Sequence, residues 1–269
     1  MLITIFTARV LKITMPYPRL ILILICAWSG AAHAIVNVED MRIGSPKPGY
    51  SGHVDVAISG KSGNTDKAET QLDAHLRWHR ERITNLLIAS YDYAETSSVR
   101  DTNNTFLHAR HVRQTSELRA WEWFAQWEEN EFARLSFRRL VGTGMRLTLA
   151  ESPERLSMHL GLGAFYTQQQ LEQQPGLSDG GDASFWRANL YFAYKHRLNQ
   201  QLSLQSTTYY QPKLADGADF RALEQAALTV KMTDRLSLRL ALDIIHDSRP
   251  PETVEQTDVS YTTGLSYDF

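Results

Sequence analysis

Four residues near the end of the chain have the types a hydrolase would use: Asp243, His246, Asp247 and Ser248. A serine nucleophile needs a histidine base in hydrogen-bond reach, and a third polar group to orient that histidine. Neighbours on a strand do not face one another, so closeness in sequence does not assemble these groups. A histidine at the rim of a sheet is the simpler reading, and no catalytic residue is assigned. Metal chemistry finds no better footing. His75 and His79 share a strand face but stand about 13 Å apart, with Arg77 between them. His108 and His111 fall on opposite faces. The only cysteine, Cys26, lies in the leader described below, so no thiolate site is available to the mature chain. No metal and no cofactor is expected.

The charged residues are more informative. Acidic Glu69, Asp73, Glu122, Glu128 and Asp243 interleave with basic Lys67, Arg77, Arg134, Arg138, Arg146, Arg187, Lys195 and Arg239, each opposite an apolar neighbour. Enclosed on one face of a sheet, these groups either pair across a narrow interior or line a water-filled pore. The mixture of signs favours pairing with at most a narrow channel, and disfavours an anion-selective pore.

The elements that carry these charges are strands. Period-two alternation recurs along the chain. Trp121, Trp123, Ala125 and Trp127 oppose Glu122, Phe124, Gln126 and Glu128. Leu156 to Tyr166 opposes Ser157 to Gly163, and Leu236 to Ile244 opposes Ser237 to Asp243. A segment around Phe106 to Arg113 alternates poorly, and its faces stay unassigned. Twelve strands are expected in all. Tight connections at Arg80-Glu81, Thr115–Glu117, Ser152–Glu154, Leu198–Gln200 and Thr233-Asp234 alternate with longer ones at 95–103, 169–183, 213–219 and 247–256. Short turns at one end and long loops at the other, with an even strand count, are the pattern of an outer-membrane barrel. Tyr and Trp fall near both rims, where an amphipathic ring suits the headgroup boundary. The competing fold, a soluble β-sandwich, would not keep its outward faces this consistently apolar. Arg139 and Glu224 are exceptions on the outward side.

Both termini agree. Arg19, the apolar run Leu20–Trp28 and the small-x-small site Ala32-His33-Ala34 read as a signal peptide cleaved after Ala34, with Met15 as its start. The expected organisation is a leader over 1–34, a short periplasmic segment over 35–49 and a barrel over 50–269. The leader holds three of the 28 basic residues and none of the 30 acidic ones, which leaves the mature chain mildly acidic. That balance argues against a nucleic-acid partner. The last strand alternates from Val259 to Tyr267 and ends on Phe269; Gly264, Tyr267 and Phe269 are the expected signal to the barrel-assembly machinery. Outer-membrane lipid and lipopolysaccharide are the other expected partners.

Several stretches carry a resemblance: Gly52–Val56 leading to Ser62-Gly63-Asn64-Thr65-Asp66, Trp123 to Phe132, Arg138 to Gly144, and Leu160 to Tyr166. Over roughly 50–269 the chain resembles the YdiY-like family of salt-induced outer-membrane proteins, domain of unknown function 481. The resemblance implies an all-β transmembrane antiparallel barrel, a link to salt stress and no catalytic residues. Together these readings give a structural or stress-associated barrel, with a narrow nonspecific channel for small solutes as the activity its inner face allows. An outer-membrane lipid hydrolase built around His246 is the alternative.

Overall fold

The computed structural model describes residues 48–152, 155–233 and 235–267. The leader with Met15, Cys26 and Ala34, the segment up to residue 47, and the terminal Phe269 lie outside the described residues.

Twelve strands follow one another: β1 (Gly49–Lys61), β2 (Lys67–Arg80), β3 (Ile83–Thr96), β4 (Val99–Ser116), β5 (Arg119–Asn130), β6 (Leu135–Ser152), β7 (Leu156–Leu171), β8 (Gly181–Arg197), β9 (Leu202–Lys213), β10 (Asp216–Lys231), β11 (Leu236–Asp247) and β12 (Thr257–Tyr267). Each pairs antiparallel with the next, in a single sheet ordered β1 to β12. Such a meander needs only hairpin connections, which is why local turn signals organise the whole chain. β5 shows the pleat most cleanly. Its even-numbered residues from Ala120 to Asn130 are buried and its odd-numbered ones are exposed. Trp121, Trp123 and Trp127 face out, whereas Glu122, Gln126 and Glu128 face in. This polar-in, apolar-out arrangement is that of a membrane barrel.

The sheet curls on itself. Tyr191 on β8 reaches Glu122 on β5, and Arg221 on β10 reaches Gln169 on β7. Pairing registers also settle the faces of β4. Asn104, Phe106, His108, Arg110 and Val112 sit opposite the inward residues of β5, and Leu107 and Ala109 face out.

Two expectations change. The loop expected over 95–103 is a two-residue turn, Ser97-Ser98, with both residues at positive φ (51° and 64°). Two left-handed residues match the twist of a tight hairpin. The connection expected over 213–219 likewise shrinks to residues 214–215. Strands therefore rise well past the ~9–11 residues a crossing needs; β4 and β6 have 18 each. Second, the sequence leads one to expect β12 to pair with β1 near Val54. Among the described residues the two are instead the edges of the sheet, each hydrogen-bonded to one neighbour. Their inward side chains are polar or small: Ser51, His53, Asp55, Ala57, Ser59 and Lys61 on one, Asp258, Ser260, Thr262 and Gly264 on the other.

Candidate functional site: the charged interior

Three polar groupings stack inside the barrel from the short-turn end to the long-loop end. The first is centred on Glu122. Arg110 lies 3.1 Å from its carboxylate, and both side chains are 3% exposed. The Tyr191 hydroxyl donates to the other carboxylate oxygen at 3.2 Å, and Arg146 donates to that hydroxyl at 3.3 Å. Four strands, β4, β5, β6 and β8, thus converge on one carboxylate. Arg110 also donates to His108 Nε2, so the imidazole proton sits on Nδ1 and is given to Gln126. Phe124, Leu140 and Phe165 pack beside this group, as do Tyr191, Tyr209 and Leu223. Glycine makes the room: a Cβ on Gly161 would collide with the Tyr191 ring, and one on Gly142 with Phe124.

The second grouping runs from wall to wall. Gln126 donates to Glu128 at 2.7 Å, and Glu128 pairs with Arg138. Arg138 and Arg221 both donate to Gln169, at 3.2 and 3.4 Å, and Arg221 pairs with Asp247 at 2.8 Å. This path leads from β5 through β6, β7 and β10 to β11. Beside it, Arg187 pairs with Asp219 and donates to the Gln211 and Asp219 carbonyls, both at 3.0 Å. Lys213 stands 3.4 Å from the same Asp219. Charges held this far from bulk water persist only when paired and hydrogen-bonded.

The third grouping closes the mouth. Arg134 was expected on the inner wall; it sits instead in the β5–β6 connection at positive φ (54°). Its guanidinium donates to the Glu252 carbonyl at 2.9 Å and the Glu172 carbonyl at 3.0 Å, and pairs with Asp179 at 2.8 Å. Six strands of the twelve separate the β5–β6 and β11–β12 connections. Half the circumference lies between them, so that hydrogen bond spans the opening. Ser178 and Asp179 fasten the β7–β8 connection to Glu252 through a 3.0 Å backbone contact at Ser178 and the Glu252 N–H. For Asp179, desolvation pushes the carboxyl pKa up, but the Glu252 N–H and Arg134 outweigh it and hold it below the usual range. Hydrogen bonds from Ser178 hold Glu252 below its usual range as well.

The remaining sequence candidates are dispersed. His246 faces outward, 2.8 Å from Thr257 Oγ1 and tilted against the Phe220 ring. Ser248 Oγ donates to the Ala218 carbonyl at 2.9 Å and accepts the Phe220 N–H at 2.8 Å. Asp247 is committed to Arg221, and Asp243 accepts from Gln225 at 2.6 Å. These four residues do not form a nucleophile–base–orienter relay. His75 meets His53 rather than His79, and no group of three metal-ligating side chains occurs among the described residues. Gly264 lies opposite Arg239, and Tyr267 opposite Leu236 on the outward face. Outward Arg139 donates to Gln168 at 2.8 Å and lies over Phe137; outward Glu224 accepts from Ser206 at 2.7 Å and from Thr208.

Arg110, Tyr191, Asp219 and Arg221 escaped the sequence analysis, and His108 entered it only as a rejected metal ligand. For His108 and Arg110 a usable signal existed: the clean alternation of β5, carried across a hairpin, fixes the faces of β4.

An even-stranded antiparallel meander with an apolar outside and a paired, charged inside defines the class: a β-barrel of the outer-membrane type. Within that class, the family model described as "Protein of unknown function, DUF481" matches residues 54–269, and the chain belongs to this family. A search of curated proteins returned no match. Among solved structures, the chain is similar to the NanC porin (12% identity, TM-score 0.43, covering 82% of this chain and 98% of that one). It is also similar to the translocator domain of the autotransporter NalP from Neisseria meningitidis (12%, 0.44, 86% and 92%). A third is a mutant of the TodX monoaromatic hydrocarbon channel (9%, 0.40, 83% and 82%). At such scores these likenesses lend nothing to the functional argument, which rests on the interior itself.

Proposed function

We propose that the protein resides in the bacterial outer membrane and acts as a narrow, normally constricted conduit for small solutes. Cleavage after Ala34 delivers it to the periplasm, and the terminal strand through Gly264, Tyr267 and Phe269 presents it to the barrel-assembly machinery. It sits among outer-membrane lipid and lipopolysaccharide, and its constriction suits a role in salt stress, when leakage would be costly. The observation that carries the reading is Arg134, which joins opposite connections across the mouth above an interior already spanned by paired charges. Both devices narrow the passage with paired polar groups, beside the packed Phe124, Leu140, Phe165, Tyr191, Tyr209 and Leu223, so what passes is small. The test is single-channel conductance in planar bilayers. The purified protein should give small, infrequent openings, and Arg134→Ala should raise both their size and frequency. Absence of any conductance in both proteins would leave a purely structural barrel.

A further inference from the structure

The outward wall of β2–β5 is ordered in rows by the pairing registers, and the rows differ in chemistry. At the short-turn end, Arg80, Ile83, Arg113 and Trp121 stand side by side. One step in are Trp78, Asn85, His111 and Trp123; the next row is Leu76, Leu87, Ala109 and Ala125. The two inner rows line a groove of about 410 Å³, which exists because Ala109 and Ala125 are small between larger neighbours. Asn85 Oδ1 accepts from His111 Nδ1 at 2.7 Å, and the Asn85 amide NH2 has no partner among the described residues. The His111 ring leans on Trp123 at 5.5 Å. The two turns below bring Arg80, Arg82, Arg113 and Arg119 against only Glu81 and Glu117, and Arg82, Arg113 and Arg119 have no ion-pair partner among the described residues.

We propose that this face is a binding site for an anionic glycerophospholipid of the periplasmic leaflet. The arginine row meets the phosphate, the Asn85–His111 row meets the glycerol and ester oxygens, and the groove over Ala109 and Ala125 receives an acyl chain. The order charge, amphipathic ring, hydrocarbon is the order in which a phospholipid presents itself along the membrane normal. Assignment to the periplasmic leaflet rests on the outer-membrane reading above, in which the short turns face the periplasm. A neutral zwitterionic lipid would leave the rim arginines uncompensated, so the headgroup must carry net negative charge.

Native mass spectrometry of the full barrel, released from detergent with dioleoyl phosphatidylglycerol or dioleoyl phosphatidylethanolamine added, reads the site. The wild-type protein should retain phosphatidylglycerol about tenfold more strongly, since the rim arginines favour a headgroup of net negative charge. Arg80→Gln with Arg113→Gln should abolish the preference, and Ala109→Phe, which fills the groove, should lower retention of both lipids. Equal retention by the wild type, or unchanged retention in Ala109→Phe, overturns the site while leaving channel conductance, and hence the conduit, as found. Retention of lipopolysaccharide in place of either phospholipid overturns it differently, by placing this rim in the outer leaflet and reversing the assumed orientation.

Discussion

Glu122 is the residue on which the interior depends most. It answers the charge of Arg110 and accepts from Tyr191, with next to no exposure. Removing one partner of a dry ion pair strands the other, which costs about 3–5 kcal/mol, whereas the intact pair itself adds little net stability. Glu122→Ala should therefore lower the urea midpoint of the refolded barrel steeply, and Glu122→Ala with Arg110→Leu should recover much of the loss. A single variant as stable as wild type would mean that water reaches the pair. Gly161 makes a complementary point, because any side chain there displaces the Tyr191 ring. Such a glycine reads in sequence as a weak strand position; only the ring across from it shows what the missing Cβ is for.

Element by element, the sequence is legible where the two faces of a strand meet different media. β5, β7 and β11 alternate clearly because lipid lies on one side and a polar interior on the other. β4 does not, since its inward row mixes Phe106 and Val112 with His108 and Arg110, a packed interior accepting apolar and paired polar groups alike. The stretch 95–103 looks like a loop because strands that rise above the membrane have polar residues on both faces. The edges pose a different question. Bare backbone cannot face hydrocarbon without a loss of several kcal/mol for each unsatisfied group, so β1 and β12 must find partners in the membrane. Pairing with each other is expected. Ala57→Cys, combined in turn with Ser260→Cys, Thr262→Cys and Gly264→Cys, should give one intramolecular disulfide, and its position fixes the closing register. Cys26 is the one cysteine of the sequence, so a Cys26→Ser background is free of other thiols. Cross-links only between molecules would show that two copies share their edges instead.

At the scale of the whole molecule, the carboxylates that tie the loops at the mouth make the proposed passage a matter of pH. Asp179 and Glu252 both have carboxyl groups held below the usual range by their hydrogen bonds and, for Asp179, by Arg134. A depressed folded-state value means that the contacts contribute fully above the ordinary carboxylate pKa, and are lost as pH falls through the lowered one. The strap should hold at neutral pH and loosen only in acid below the ordinary carboxylate range. Conductance should then rise on acidification. Interior carboxylates also lie in the path, so acid alone does not identify the strap. Asp179→Asn with Glu252→Gln separates the two causes. These substitutions remove the charged acceptors at the mouth and leave Glu122, Glu128 and Asp247 in place. The double variant should conduct at neutral pH as the wild type does in acid, and change little on further acidification. A variant that is closed at neutral pH and opens in acid like the wild type would move the pH-sensitive barrier from the mouth to the paired charges below it.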